Sequence, residues 1–574
     1  MQEAGISRRS FLRTAGLAGL AAGALGAVGT LGAPQPALAD EAAGAQGAEG
    51  AANAYLNVFG EDTAYIPVKK AKWSQLSGPI AFEDRAIDAA EIAREEQCDF
   101  LVVGCGLSGM AAMLKAASEG ASVIGIEKMS QGRHMWESVG GYNTSMQREL
   151  GNVPDPAEYV EAILRASQWR ARPDVVWSFV NNSGEAVDFL NEQIKAAGKG
   201  VELYGTIQKP APYGMETIQA EHKIKIPEGV EWKSWFTGSL AWDSLVTTAA
   251  TYDNLDIRYN TAGVQLTRDG SGRVDGIVAK DADGYYAIKA AKGVLLSTGG
   301  YEANPGMVEA FIKPEEYQNA CVYAPCLGPT GDGHMMGLSV GAQMDAPPHT
   351  LMSFRSGLPD RVLDSTKVSS VFGSSIWINH QARRFANEAL PHNFAANVIN
   401  AQTAGGKSVW FMFDQGIVDR TLEKVPELPQ AIEELKADGL LVEGETVADL
   451  AKAMGVDADE LQKTVDTFNS YFEADEPADL MFRRDIGKLA PLATGPYYAC
   501  VHVSKVLVSA NGLIINENAQ VLDEDEQVIP GLYAAGNTTG GMFIGMYPRH
   551  LPSTSTGRCA TMGFVAARHA IKGE

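Results

Sequence analysis

The sequence predicts an α/β fold organised on a parallel sheet, and three observations predict it. An apolar run, Cys98 to Val103, reads as a strand buried on both faces. A glycine-rich turn leads from it into a helical pattern, Met110 to Glu119, and then into a second short strand, Ala121 to Ile126. The 574 residues are 45% hydrophobic and 20% charged, a balance that supports a large core and excludes wholesale disorder. At roughly 150 residues per domain the length accommodates about two to four of them. With 70 acidic and 47 basic residues the formal charge is −23, which repels phosphate backbones and argues against a nucleic-acid partner. Six cysteines in so long a chain do not make a disulfide scaffold.

The first element in chain order is an address. Ser7-Arg8-Arg9-Ser10-Phe11-Leu12-Arg13 is followed by a Gly/Ala-rich apolar run, Thr14 to Gly32, and by Ala37-Leu38-Ala39. A charged start, an apolar middle and an A-x-A cleavage pattern predict a twin-arginine signal peptide over 1–39. The run relies on Gly and Ala rather than Leu, Ile or Phe, so a spanning helix fits it less well. Export by the twin-arginine route is therefore expected, to the periplasm or the outer face of the cytoplasmic membrane, with no stable membrane span after cleavage. Residues 40–97 read as a linker and an N-terminal extension to which the sequence assigns no function.

The turn after the first strand is Gly104-Cys105-Gly106-Leu107-Ser108-Gly109, and the second strand ends at Glu127. Gly104 permits the tight turn, Gly106 lets the backbone approach a pyrophosphate, and Gly109 lets helix pack on strand. The helix N-terminus supplies amides and the positive dipole end. Glu127 stands where a carboxylate can accept both hydroxyls of a ribose. Strand, helix, strand and terminal acid in register predict a dinucleotide site.

Which dinucleotide it is follows from later segments. Val294 to Tyr301 carries a Thr298-Gly299-Gly300 turn; Gly328-Pro329-Thr330-Gly331-Asp332-Gly333 and Ala534-Ala535-Gly536-Asn537-Thr538-Thr539-Gly540-Gly541 follow. With Glu127-Lys128 and Gly140-Gly141, these resemble the FAD-binding pieces of the fumarate reductase and succinate dehydrogenase flavoprotein family. That family includes soluble flavocytochrome-type reductases, urocanate reductases and 3-ketosteroid dehydrogenases. The resemblance runs from about Cys98 to the C-terminus. It implies a Rossmann-like FAD-binding domain, 98–347 and 500–574, with an inserted α+β capping (substrate) domain, 348–499. It implies FAD as cofactor, held by Gly104, Gly106, Ser108, Gly109, Glu127, Lys128, Gly141, Thr298, Gly299, Asp332, Gly536, Asn537, Ser553, Ser555 and Thr556. The family usually has Glu where Asn537 stands.

The reacting site departs from the fumarate pattern. Fumarate-type members carry Asn-Glu-x-x-x-Arg, whose Arg donates a proton; here Asn387-Glu388 leads to Pro391-His392. His392 is the candidate proton donor, its unperturbed pKa of about 6.5 suiting it to that work near neutrality. A second carboxylate-holding Arg usually precedes a Gly-Gly near the last helix. Here Tyr547-Pro548-Arg549-His550 stands, and Arg549 and His550 both remain candidates. The His expected before a Met-Gly-Gly turn is absent from Val506 to Gly512. Each lost clamp is worth about 2–5 kcal/mol in a dry site, so fumarate is not the expected substrate. A monocarboxylate or an unsaturated ketone or lactone fits better. Tyr498 is similar to a ketone-polarising Tyr of the ketosteroid enzymes. His349 falls near another substrate position of the family, and Arg384 beside Phe385 is expected to pair with a carboxylate inside the cap. The run Trp232 to Trp242 is aromatic enough to line a pocket and equally suited to a core.

The nine His form no ligand cluster, so no metal is expected. No Cys-x-x-Cys-His occurs, Cys321 and Cys326 alone cannot hold an iron–sulfur cluster, and no second Gly-rich unit serves NADH. The expected electron source is a separate membrane-linked donor, a cytochrome or an FMN protein. The favoured expectation is an exported FAD-dependent reductase of the C=C bond of a small α,β-unsaturated carboxylate or carbonyl acceptor. A 3-ketosteroid-type dehydrogenase running the same geometry oxidatively is the second expectation, and a non-catalytic flavin electron-transfer protein the third.

Overall fold

The computed structural model describes residues 78–573, except 133–135, 208–217, 231–237, 323–327, 360, 364–365, 474–476 and 549–550. The signal pattern, the linker, Arg549, His550, Cys326, Trp232 and Trp235 lie outside the described residues. The fold is α/β. Its main sheet begins with β1 (Ile92–Val103), which leads into α1 (Leu107–Ser118) and then β2 (Val123–Ile126), parallel to β1 with Val102 opposite Gly125. Next come β3 (Leu255–Arg258), parallel to β2, and β4 (Gly284–Leu296), parallel to β1 on its other side. Phe100 to Val103 are buried on both faces of the sheet, which explains the unbroken apolar run of β1.

Helix α2 (Asp332–Ser339) follows, and β5 (Leu351–Leu358) then leaves the first sheet. Four strands form a separate antiparallel sheet in the order β6 (Ile376–Asn379), β7 (Val409–Asp414), β9 (Tyr497–Val501), β8 (Leu441–Gly444). It has its own core from Leu358 to Cys500, in which Trp377, Phe411 and Phe413 are fully buried. Glu388 anchors this cap. It takes a bidentate contact from Arg384 (2.9 and 2.8 Å), a third bond from Arg484 Nη1 (3.1 Å) and the amide of Trp377 (3.1 Å), while Asp479 shares Arg384 (2.9 Å). Every one of these side chains is buried.

Helix α3 (His392–Thr403) packs on β5 and on β10 (Val503–Ser509), which run antiparallel to one another. The chain then returns to the first sheet as β11 (Val528–Ala534), parallel to β4, and ends in α4 (Thr554–Lys572), packed along α1. The parallel strands thus stand in the order β3-β2-β1-β4-β11. Strand order reverses between β1 and β4, the place where open α/β sheets bind ligands. Among the described residues no helix is long and apolar enough to cross a membrane, and no group of three His, Cys, Asp or Glu could hold a metal ion.

Candidate active site

The dinucleotide loop is built as its glycines require. Gly104 has φ +96°, and a Cβ there would lie 2.5 Å from the Ser297 carbonyl oxygen; at Gly109 a Cβ would lie 2.1 Å from the Gly104 oxygen. Gly106 is the extended N-cap of α1, whose first turn contains buried Ser108. Glu127 follows β2, half-buried; the amides of Cys105 and Met129 each donate to its carboxylate at 3.0 Å. Burial pushes its carboxyl up, against those two amides and Lys128. This cradle fits the adenosine ribose and pyrophosphate of FAD. Gly104→Ala is expected to add about 1–3 kcal/mol of strain and to weaken FAD binding roughly 10- to 100-fold. The flavin-to-protein absorbance ratio after purification measures it, and full flavin content would contradict it.

The distant glycine turns converge on the same loop. Gly536 (φ +71°) lies against Ser108, whose Oγ is 2.6 Å from where a Cβ would stand. Thr298 Oγ1 accepts from the Gly333 amide at 3.1 Å, and Thr538 Oγ1 donates to the Gly299 carbonyl at 3.1 Å. Gly141 bonds the Ala220 carbonyl through its amide at 2.8 Å. Ser553, at the N-cap of α4, has φ +63°, an unusual conformation for a residue with a side chain. Its carbonyl accepts from the Gly140 amide (2.9 Å) and from Thr556 Oγ1 (2.8 Å), which also donates to the Ser138 carbonyl (2.8 Å). The Ser555 amide donates to the Tyr547 hydroxyl at 3.2 Å.

Lys128 and Asp332 meet each other directly. Lys128 Nζ lies 2.6 Å from Asp332 Oδ2 and donates to the Pro79 carbonyl at 2.9 Å; the amides of Ala81 and Phe82 donate to Asp332 Oδ1 at 2.7 and 3.0 Å. The N-terminal extension, to which the sequence assigns no role, is thereby strapped onto two candidate cofactor residues.

The structure gathers part of the predicted reacting set. His392 opens α3, half-buried, its ring centroid 4.8 Å from that of Phe354 on β5. Its neighbour Asn393 donates to the Tyr547 carbonyl at 3.2 Å, which ties the cap to the segment running into α4. Buried Lys505 on β10 lies with Nζ 5.3 Å from the centre of the same Phe354 ring, a cation the sequence reading missed. Tyr498 is placed otherwise. It stacks on Phe413 inside the cap core, with its hydroxyl donating to Gln415 Oε1 at 2.8 Å and pushed up to about 12 by burial. It belongs to the cap's packing rather than to the group around His392. His349 is also engaged, Nδ1 with the Tyr301 hydroxyl and Nε2 with the Asp345 carbonyl, both at 2.8 Å. Trp242 is buried in the main core, on α-helical residues Gly238–Ala249.

Comparison with known proteins agrees with this geometry. Residues 99–550 match the family described as FAD binding domain. The urocanate reductase of Eggerthella lenta is 28% identical over 493 residues, covering 85% of this chain and 76% of its own. Among solved structures, the open conformation of a flavocytochrome c3 fumarate reductase aligns with TM-score 0.61 and 25% identity, over 89% of this chain and 84% of that one. The 3-ketosteroid Δ1-dehydrogenase of Sterolibacterium denitrificans aligns with TM-score 0.69 and 20% identity, over 83% and 100%, a likeness of fold. The chain belongs to this FAD-binding family, of the fumarate reductase kind, and is an FAD-dependent oxidoreductase acting on carbon–carbon single or double bonds.

Proposed function

We propose that the protein reduces the C=C bond of a small α,β-unsaturated carboxylate or carbonyl compound, working outside the cytoplasmic membrane as a terminal reductase. The observation that carries this reading is the meeting of His392, Phe354 and Lys505 with the Tyr547 segment, next to the turns that fit FAD. FAD, when bound, supplies two-electron hydride chemistry. His392 donates the proton to the carbon beside the one that receives hydride. Lys505 favours an acceptor that carries a carboxylate or develops negative charge on a carbonyl oxygen. Arg549 and His550 follow Tyr547 by two and three residues and are the further candidates for holding the acceptor. The cap covers the site and limits water around the reacting atoms.

The twin-arginine pattern supports export, and the lack of a haem-attachment motif in the sequence supports a separate membrane-linked electron donor, a cytochrome or an FMN protein. The urocanate and fumarate reductases among its relatives support the reductive direction. Anaerobic reduction of the purified flavoprotein, followed by mixing with enoates, cinnamate-like acids, urocanate and enones, tests the reading. Rapid flavin reoxidation by one class is expected. Silence towards all of them, with bleaching of the oxidised protein by a saturated ketosteroid, would replace it with the dehydrogenase reading.

A further inference from the structure

Arg558, in the second turn of α4, is a fully buried guanidinium. Its Nη2 donates to Asn537 Oδ1 at 2.9 Å, and its Nη1 to the carbonyls of Ala510 and Thr539 at 3.2 and 3.3 Å. Its carbon lies 4.6 Å from the centre of the Phe543 ring, and Nε has no partner. All three oxygens around it are neutral. Among the described residues Asp345 is the carboxylate that acts on it at longer range, and Asp345 itself accepts from Asn511 Nδ2 and the Gly541 amide. A buried cation with no anion in direct contact costs several kcal/mol, so the guanidinium as built carries a charge that its own contacts do not cancel.

The surroundings say where that charge belongs. Asn537 sits in the Gly536-Asn537-Thr538 turn against Ser108, and Thr538 reaches back to Gly299. These turns belong to the site assembled above that fits FAD, and Asn537 joins them to α4 through Arg558. Reduction of the flavin ring by two electrons and one proton adds one negative charge to it. A neutral residue at 537 leaves the guanidinium charge uncancelled, whereas an acid there would form an ion pair with it.

We propose that Arg558 is the resident cation for the reduced, anionic form of bound FAD, and that Asn537 keeps this charge available, so that the pair raises the flavin's reduction potential. The inference rests on FAD binding and on no particular acceptor. Anaerobic spectroelectrochemical titration of the holoprotein without substrate measures it, so failure of the acceptor panel leaves it intact. Arg558→Gln and Asn537→Glu are each expected to bind reduced FAD about tenfold less tightly relative to oxidised FAD, a midpoint lower by about 30 mV for a two-electron couple. Arg558→Lys should stay near the wild-type midpoint. A wild-type midpoint in Arg558→Gln overturns the proposal. So does an equal loss of affinity for both redox states, which would assign Arg558 to the diphosphate. If Arg558→Gln does not fold, Asn537→Glu decides alone, since it keeps the guanidinium: an unchanged midpoint there also overturns the proposal.

Discussion

Replacing His392 by alanine is expected to leave FAD bound and to lower turnover by about 10²–10⁴-fold, the usual contribution of a positioned proton donor. The side chain opens α3 at the seam between cap and flavin region, and it is half-buried against Phe354. None of the turns that fit FAD includes it, so flavin content separates a chemical from a structural effect. In single-turnover reoxidation of the reduced protein the slow step should be proton-coupled, and His392→Ala should lose the rate while keeping the flavin spectrum. Normal turnover in this variant would move the proton donor to Arg549 or His550, the candidates beyond Tyr547.

Glu388→Ala is expected to cost about 3–5 kcal/mol of cap stability, because it takes from two buried guanidinium groups the carboxylate they share and leaves Arg384 with Asp479 alone. Glu388 is the shared acceptor for Arg384, Arg484 and the Trp377 amide. Calorimetry of the holoprotein should show an early transition for the cap; a loss below about 1 kcal/mol would contradict this accounting. The network also has a pH signature. Burial would raise the Asp479 carboxyl, but the Arg384 bond and two backbone amides outweigh it and hold it below the usual range. Its contribution is therefore present above the unfolded value of about 4 and is lost as pH falls through the lower folded one.

What could be read from the sequence was local. Strand, glycine turn, helix, strand and Glu127 lie within 30 residues, and Gly104 and Gly109 are dictated by contacts inside that unit or with the segment that follows the strand beside it. Pairings between distant segments left no such mark. Lys128 and Asp332 were both recognisable as cofactor-site residues, yet their ion pair, and the backbone of residues 79–82 closing over it, join positions about 200 and 250 apart. Tyr498 alternates with Tyr497 along one strand, and only the position of Gln415 shows that its hydroxyl turns into the cap. Arg558 stands in a terminal helix with Arg568 and Lys572, where a basic residue reads as solvated until the packing of α4 on α1 is known. Lys505 was hidden for the same reason, on a strand whose register with Phe354 is set by the fold.

The strap of residues 79–82 over Lys128 and Asp332 also bears on the order of assembly. The cofactor cradle is closed by backbone from near residue 80, by Glu127 and Thr298, and by turns at 536–558, so its contact order is very high. A chain still emerging from the ribosome lacks the last of these turns when the first strand and helix are already made. Tight capture of the cofactor has to follow synthesis of the 536–558 turns, since loop closure over such separations is slow and comes late. Flavin content therefore works as a checkpoint on assembly: a yellow molecule is one in which the backbone near residue 80 and the turns at 536–558 have both been brought to the cradle.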